Sequence, residues 1–199
     1  MPKKKNPSCC DQSLPLGISI LAVVAIGVLS FAVGNSVRPP QRATHTREIV
    51  TVVKLDPDAI IKNEVQTAVS LLQELYNKSE RSEITLNEAQ KLGADLLRQL
   101  RYGDQGEGYF WADTVEGVNV VLYGRQDVEG INRSEDVVNG VAYVKEIIAN
   151  GQQPGGGFTD YFYPKMGGTE PLAKRAYSLL FGPFNWVVGT GYYLEDVGG

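Results

Sequence analysis

Two groups of side chains in this sequence combine aromatic rings, hydroxyls and charge at strand spacing. In the first, alternation puts Tyr109, Trp111 and Asp113 on one face and Phe110 and Ala112 on the other. In the second, Tyr161 and Tyr163 share a face opposite Phe162. Both present polar tips on large rings, which suits the wall of a pocket for a small polar molecule; the same rings serve equally well as core. Among the cations, Arg101 stands at the end of a predicted helix just before the first group, where it could meet a ligand or complement the helix dipole. Lys174 and Arg175 are adjacent, so a strand sends them to opposite faces and at most one points inward. A planar guanidinium matches a carboxylate with two parallel hydrogen bonds, which makes Arg101 and Arg125 the first arginines to test as anion binders.

Catalytic chemistry has little to stand on. The single histidine, His45, lies in a polar linker, and neither a serine or cysteine nucleophile motif nor a His/Cys cluster with metal spacing occurs. The acid pairs Glu135-Asp136 and Glu195-Asp196 sit in polar surroundings that solvate them, with nothing to position them for hydrolysis. Gly155-Gly156-Gly157 lacks the Lys-Ser/Thr of a phosphate loop and reads as a pliant entry into a strand. The expectation is a binding module that is not an enzyme, with no cofactor and no metal.

The elements that must position these residues follow from charge and periodicity. No charged residue occurs between Asp11 and Arg38, and residues 16–37 are long and apolar enough to span a bilayer as a helix. A cleaved leader ending near Ala32-Val33-Gly34 is the rival reading. Residues 1–15 carry Lys3, Lys4 and Lys5 and are expected in the cytoplasm, which places the C-terminal domain outside the cell membrane. Three of the 19 basic and one of the 23 acidic residues precede Arg38, so the remainder carries a net −6. That sign excludes nucleic acid as a partner, since binding it means neutralising phosphates. The only cysteines, Cys9 and Cys10, precede the apolar run, and a cysteine-free domain suits an oxidising exterior.

Residues 38–48 form a polar linker. Asp56-Pro57 starts a helix with the apolar stripe Ile61, Val65, Ala68, Val69, Leu72, Leu75 and Tyr76. Thr85 and Glu88 form a capping box opening a second helix, expected to bury Leu92, Leu96, Leu97 and Leu100 and to stop at Gly103. Strands are expected at 109–112 and 118–123, a helix at 137–149, and strands at 157–163, 173–181 and 186–193, the last three as an antiparallel meander. The fold class is α+β, with helices packed on one face of the sheet.

Leu100-Arg-Tyr-Gly103, Gly108-Tyr-Phe-Trp111, Tyr161-Phe-Tyr-Pro-Lys165 and Trp186-Val-Val-Gly-Thr-Gly191 fall in an order and spacing that resembles the single Cache sensor domains. The resemblance covers residues 57–197, and domain bounds of 49–199 are expected. It implies a PAS-like five-stranded antiparallel sheet behind a long N-terminal helix, in the extracytoplasmic input module of a bacterial chemoreceptor or sensor kinase. It also implies a short carboxylate as ligand, a homodimer paired through the helix at 61–76, and Lys174 rather than Arg175 pointing inward. The ligand-binding set is then Arg101, Tyr109, Trp111, Tyr123, Arg125, Tyr161, Tyr163 and Lys174. Tyr123-Gly124-Arg125 stands where many members carry His-Pro, which implies a different ligand range. A receptor of this kind would continue past Gly199 into a second membrane helix and an output domain. The alternatives are a stand-alone anchored binding protein and a partner-docking module without a small ligand.

Overall fold

Asp56 caps the first helix by accepting a hydrogen bond from the Asp58 amide at 3.1 Å, and Pro57 fills a position whose amide needs no partner. The computed structural model describes residues 55–197, so the expected membrane span at 16–37 and linker at 38–48 lie outside the described residues. Among the described residues, no helix is long and apolar enough to cross a membrane. Helix α1 runs Pro57–Glu80 and α2 runs Leu86–Gln99. A short antiparallel pair, β1 (Arg101–Tyr102) and β2 (Gly108–Tyr109), leads into β3 (Trp111–Thr114) and β4 (Asn119–Leu122). After a loop come α3 (Tyr143–Gly151), β5 (Gly157–Pro164), β6 (Pro171–Phe181) and β7 (Trp186–Tyr193). Five strands form one antiparallel sheet in the order β4-β3-β7-β6-β5.

The capping box at the start of α2 is made in full. Glu88 N–H donates to Thr85 Oγ1 at 3.2 Å, and Thr85 N–H donates to Glu88 Oε2 at 2.8 Å. Thr85→Ala is expected to destabilise the domain by about 1 kcal/mol. That corresponds to a fall of roughly 3 °C in a thermal melt, and an unchanged midpoint would remove the cap from the account.

Three expectations about the helices are corrected. Helix α2 buries Ala89, Gly93 and Leu97, while Leu92 and Leu96 are exposed and Leu100 is half-buried. The small residues win the inner face because α1 approaches closely: a Cβ at Gly93 would lie 2.8 Å from Leu72 Cδ2. Helix α2 also ends at Gln99 rather than at Gly103, since the chain turns extended at Leu100 and enters β1.

The third correction concerns α3, which is shorter than predicted and packs on the other side of the sheet. Residues 138–141 form a tight turn instead of helix, with Asn139 and Gly140 both at positive φ and Val138 bridging Val141. On one face of the sheet, α1 and α2 cover Phe110, Ala112, Val121, Phe181, Trp186 and Val188. On the other, α3 brings Tyr143, Val144, Ile147 and Ile148 against Trp111, Leu122, Tyr161 and Val187. Alternating neighbours such as Val187 and Val188 therefore serve opposite cores.

Helix α1 is fastened at its first turn. Arg175 on β6 donates to Asp58 at 2.8 Å and to Asp160 on β5 at 2.8 Å, and the Tyr192 hydroxyl donates to Asp58 at 2.9 Å. The Arg175 hydrogen bonds hold the Asp58 carboxyl below its ordinary range.

Candidate ligand-binding site

The face of the sheet under α3 carries the polar groups that the strand alternation singled out. Strand β3 sends Trp111 and Asp113 toward α3 and Ala112 toward α1 and α2. Asp113 is 3 % exposed, and its Oδ1 accepts from Asn119 Nδ2 at 2.8 Å. Burial pushes its carboxyl up to about 6, against the opposing pull of Asn119 and of the Arg133 charge.

Arg133 reaches the same place from the loop between β4 and α3. Its Nε donates to Asp136 at 2.9 Å and its Nη2 donates to the Tyr143 hydroxyl, so the guanidinium is held in one orientation although only 7 % exposed. Tyr143, the first residue of α3, stacks on Tyr161 with ring centroids 5.2 Å apart and planes 5° from parallel. Tyr163 lies across Tyr143 at 5.8 Å, and its hydroxyl is buried with no hydrogen-bond partner among the described residues.

These groups enclose a cavity of about 20 Å³, closed on its apolar side by Leu122, Val144 and Ile147. That is room for a water molecule and little more. A buried arginine and an unsatisfied phenol around one small void can hold a small anion through charge-assisted hydrogen bonds.

Lys174 stands directly behind this lining and is 1 % exposed. Its Nζ donates to the Tyr109 hydroxyl at 2.7 Å and lies 4.4 to 5.7 Å from the ring centroids of Tyr109, Trp111, Tyr163 and Tyr193. No carboxylate among the described residues is within ion-pair distance of it. Burial alone pulls its amine down to about 7.

A wider cleft of about 650 Å³ opens where α1 begins and β7 ends, between Leu55, Ile60, Tyr123, Met166 and Tyr193, with Tyr109 as a wall common to both spaces. Several of its polar side chains are already engaged. Tyr102 pairs with Thr190 at 2.7 Å, Tyr193 donates to the Pro164 carbonyl at 2.8 Å, and Lys165 is bound to Glu195 and Asp196. The cleft presents ring faces, whereas the small cavity holds the unpartnered Tyr163 hydroxyl beside the Arg133 guanidinium.

The structure brings together Tyr109, Trp111, Tyr161 and Tyr163 in the cavity lining, with Lys174 behind them and Arg175 turned to the opposite face. It does not bring Arg101, Tyr123 or Arg125 there. The Arg101 guanidinium lies 3.2 Å from the centroid of Tyr123 and donates to the Arg98 carbonyl at 3.1 Å, serving the open end of α2. Tyr123 lines the outer cleft, and Arg125 is exposed and paired with Asp127 at 2.9 Å. Sequence reasoning missed Arg133 and Tyr143. Arg133 sits in a loop without periodicity, like Arg125. Tyr143 falls within the predicted helix, four residues before Ile147, so its face was open to inference.

The family model for single Cache domain 2 matches residues 53–199. This chain belongs to the single Cache family. The Cache match extends to curated proteins and solved structures. The chain is 30 % identical over 136 residues to the methyl-accepting chemotaxis protein McpP of Pseudomonas putida, covering 67 % of this chain and 24 % of that protein. It is 30 % identical over 186 residues to the sensor histidine kinase MctS of Rhizobium johnstonii, covering 92 % of this chain and 37 % of that one. The chain thus spans about a quarter to somewhat over a third of the length of these relatives. A solved periplasmic sensor domain of a chemotaxis protein superposes with a TM-score of 0.65 at 31 % identity, over 68 % of this chain and 94 % of that one. A Cache chemosensory domain solved as a basis for carboxylic acid recognition gives 0.65 at 28 % identity, over 69 % and 92 %. A Cache domain is a ligand-binding module. Tyr123, Gly124 and Arg125 fall outside the lining of the small cavity beneath α3.

Proposed function

We propose that this Cache domain is the extracytoplasmic sensing module of a transmembrane receptor of the chemotaxis or sensor-kinase type, and that it binds a short carboxylate in the cavity beneath α3. The observation that carries the reading is the buried Arg133, held by Asp136 and Tyr143 beside the unpartnered Tyr163 hydroxyl. A carboxylate would accept from the Tyr163 hydroxyl and from the Arg133 N–H groups not spent on Asp136 and Tyr143, and the cavity of about 20 Å³ would have to widen to admit even one of two or three carbons. The carboxylic acid recognition of a similar Cache domain supports the same class. A charge-free apolar run at 16–37 supports an anchor, and the periplasmic location of a similar sensor domain supports an external module at the inner membrane. Ligand binding would shift a two-state equilibrium, with α1 carrying the bias in a homodimer toward the membrane.

The test is a thermal melt of the full chain in a nonionic detergent with acetate, propionate, pyruvate and lactate. A bound carboxylate at about 100 times its dissociation constant adds about 2.7 kcal/mol. The midpoint then rises by roughly 5–10 °C for a domain of this size. If no carboxylate moves it, the carboxylate reading falls and a docking module without a small ligand replaces it.

A further inference from the structure

A carboxylate in the cavity beneath α3 creates an unbalanced charge. The cavity already holds one buried cation, Arg133, and that cation already has Asp136 at 2.9 Å and Asp113 in the same lining. An incoming anion therefore adds negative charge where no positive charge is spare, in a medium that screens it poorly. One cation can be created nearby. Lys174 is enclosed by Tyr109 from β2, Trp111 from β3, Tyr163 from β5 and Tyr193 from β7, with Tyr161 as its register partner on β5. Tyr109, Trp111, Tyr161 and Tyr163 are also cavity lining, so the amine and the anion would be separated by little more than one ring. On the far side of Tyr193, Lys165 lies 5.2 Å from the ring and is neutralised by Glu195 and Asp196. Lys174 thus faces phenols and an indole, and no acid among the described residues compensates it before the ligand arrives.

We propose that the carboxylate enters together with a proton taken up by Lys174, so that the module reads its ligand and the ambient pH as a single signal. The inference rests on the carboxylate reading of this cavity. Burial sets the free amine near 7, and an adjacent anion raises it. The sign follows. At pH 6 the amine is already charged and takes up almost no proton, while Asp113, half ionised there, takes up at most about half a proton. At pH 8 it is neutral in the free module and charged in the complex, so uptake approaches one. Affinity is greatest below pH 7 and declines as pH rises above it. Asp113, with its carboxyl near 6, is ionised in the free module at pH 8 and contributes there only if the anion raises it by about two units.

The experiment is calorimetric titration of the full chain in detergent with acetate, propionate, pyruvate and lactate at pH 6 and pH 8. Each titration is run in two buffers of different ionisation heat, phosphate and Bis-Tris at pH 6 and phosphate and Tris at pH 8, so that the heats report the protons exchanged. The expected result is about one proton taken up per carboxylate at pH 8, no more than about half a proton at pH 6, and affinity at least about tenfold weaker at the higher pH. Lys174→Met should abolish the uptake at pH 8, and Lys174→Arg, charged throughout, should flatten the pH dependence while retaining binding. Binding at pH 8 without proton uptake overturns the proposal and leaves the carboxylate reading standing. Uptake at pH 8 that persists in Lys174→Met, or in Lys174→Arg should the methionine variant fail to fold, also overturns it. If no carboxylate binds at either pH, the carboxylate reading itself falls and the proposal falls with it.

Discussion

Arg133→Ala is expected to abolish the carboxylate-induced rise in melting temperature. The guanidinium is the one fully oriented buried cation in the cavity, fixed through Nε and Nη2 before any ligand arrives. Removing one partner of a buried, hydrogen-bonded charge pair costs about 2–5 kcal/mol, a loss of roughly 30-fold or more in affinity. Titration calorimetry reads this directly. Arg101→Ala and Arg125→Ala serve as controls and should change affinity by no more than about twofold, since both side chains point away from the cavity. The reverse ranking, with Arg133→Ala still binding and Arg101→Ala not, would move the site to the outer cleft. Arg133→Lys separates charge from geometry: it keeps the charge but loses the planar fork, and should recover only part of the affinity.

The largest expected loss of stability comes from Leu72→Ala. Leu72 is fully buried between α1 and α2, against Gly93. Emptying such a site costs about 2–5 kcal/mol, because the lost burial is compounded by a cavity that closes only in part. For a domain of this size the midpoint should drop by roughly 5–15 °C. Leu92→Ala and Leu96→Ala, on the exposed side of α2, should stay within about 0.5 kcal/mol. A melt in which all three variants behave alike would place the leucine stripe of α2 inside after all.

The contrast between these leucines marks where the sequence was legible. Local signals read true: the Asp56-Pro57 start, the Thr85–Glu88 box and the alternation of Tyr109, Trp111 and Asp113 each depend on neighbours within a few residues. The face a helix presents is set by its packing partner, and two small residues on α2 admitted α1 more closely than a leucine stripe could. The position of α3 was hidden because β7 is apolar on both faces, so its pattern does not say which side a helix covers. The Asn139-Gly140 turn was present as a dipeptide signal but lay inside a run that also fits a helix. Arg133 carried no signal at all, since an arginine in an irregular loop looks the same whether solvated or buried. Alternation showed that only one of Lys174 and Arg175 could point inward; the family resemblance favoured Lys174, and the structure places it there.

The adjacency of Lys174 and Arg175 gives β6 a strict phase. One strand step, about 3.3 Å, separates an amine among aromatic rings from a guanidinium that grips the first turn of α1. A slip of β6 by a single residue would exchange their faces, setting Arg175 among the rings and turning Lys174 toward Asp58. No partial error is available: the slip would unmake the cavity wall and the fastening of α1 in the same event. Registry errors in this strand are therefore silenced as a whole, and a molecule that holds α1 correctly also has its cavity wall in place.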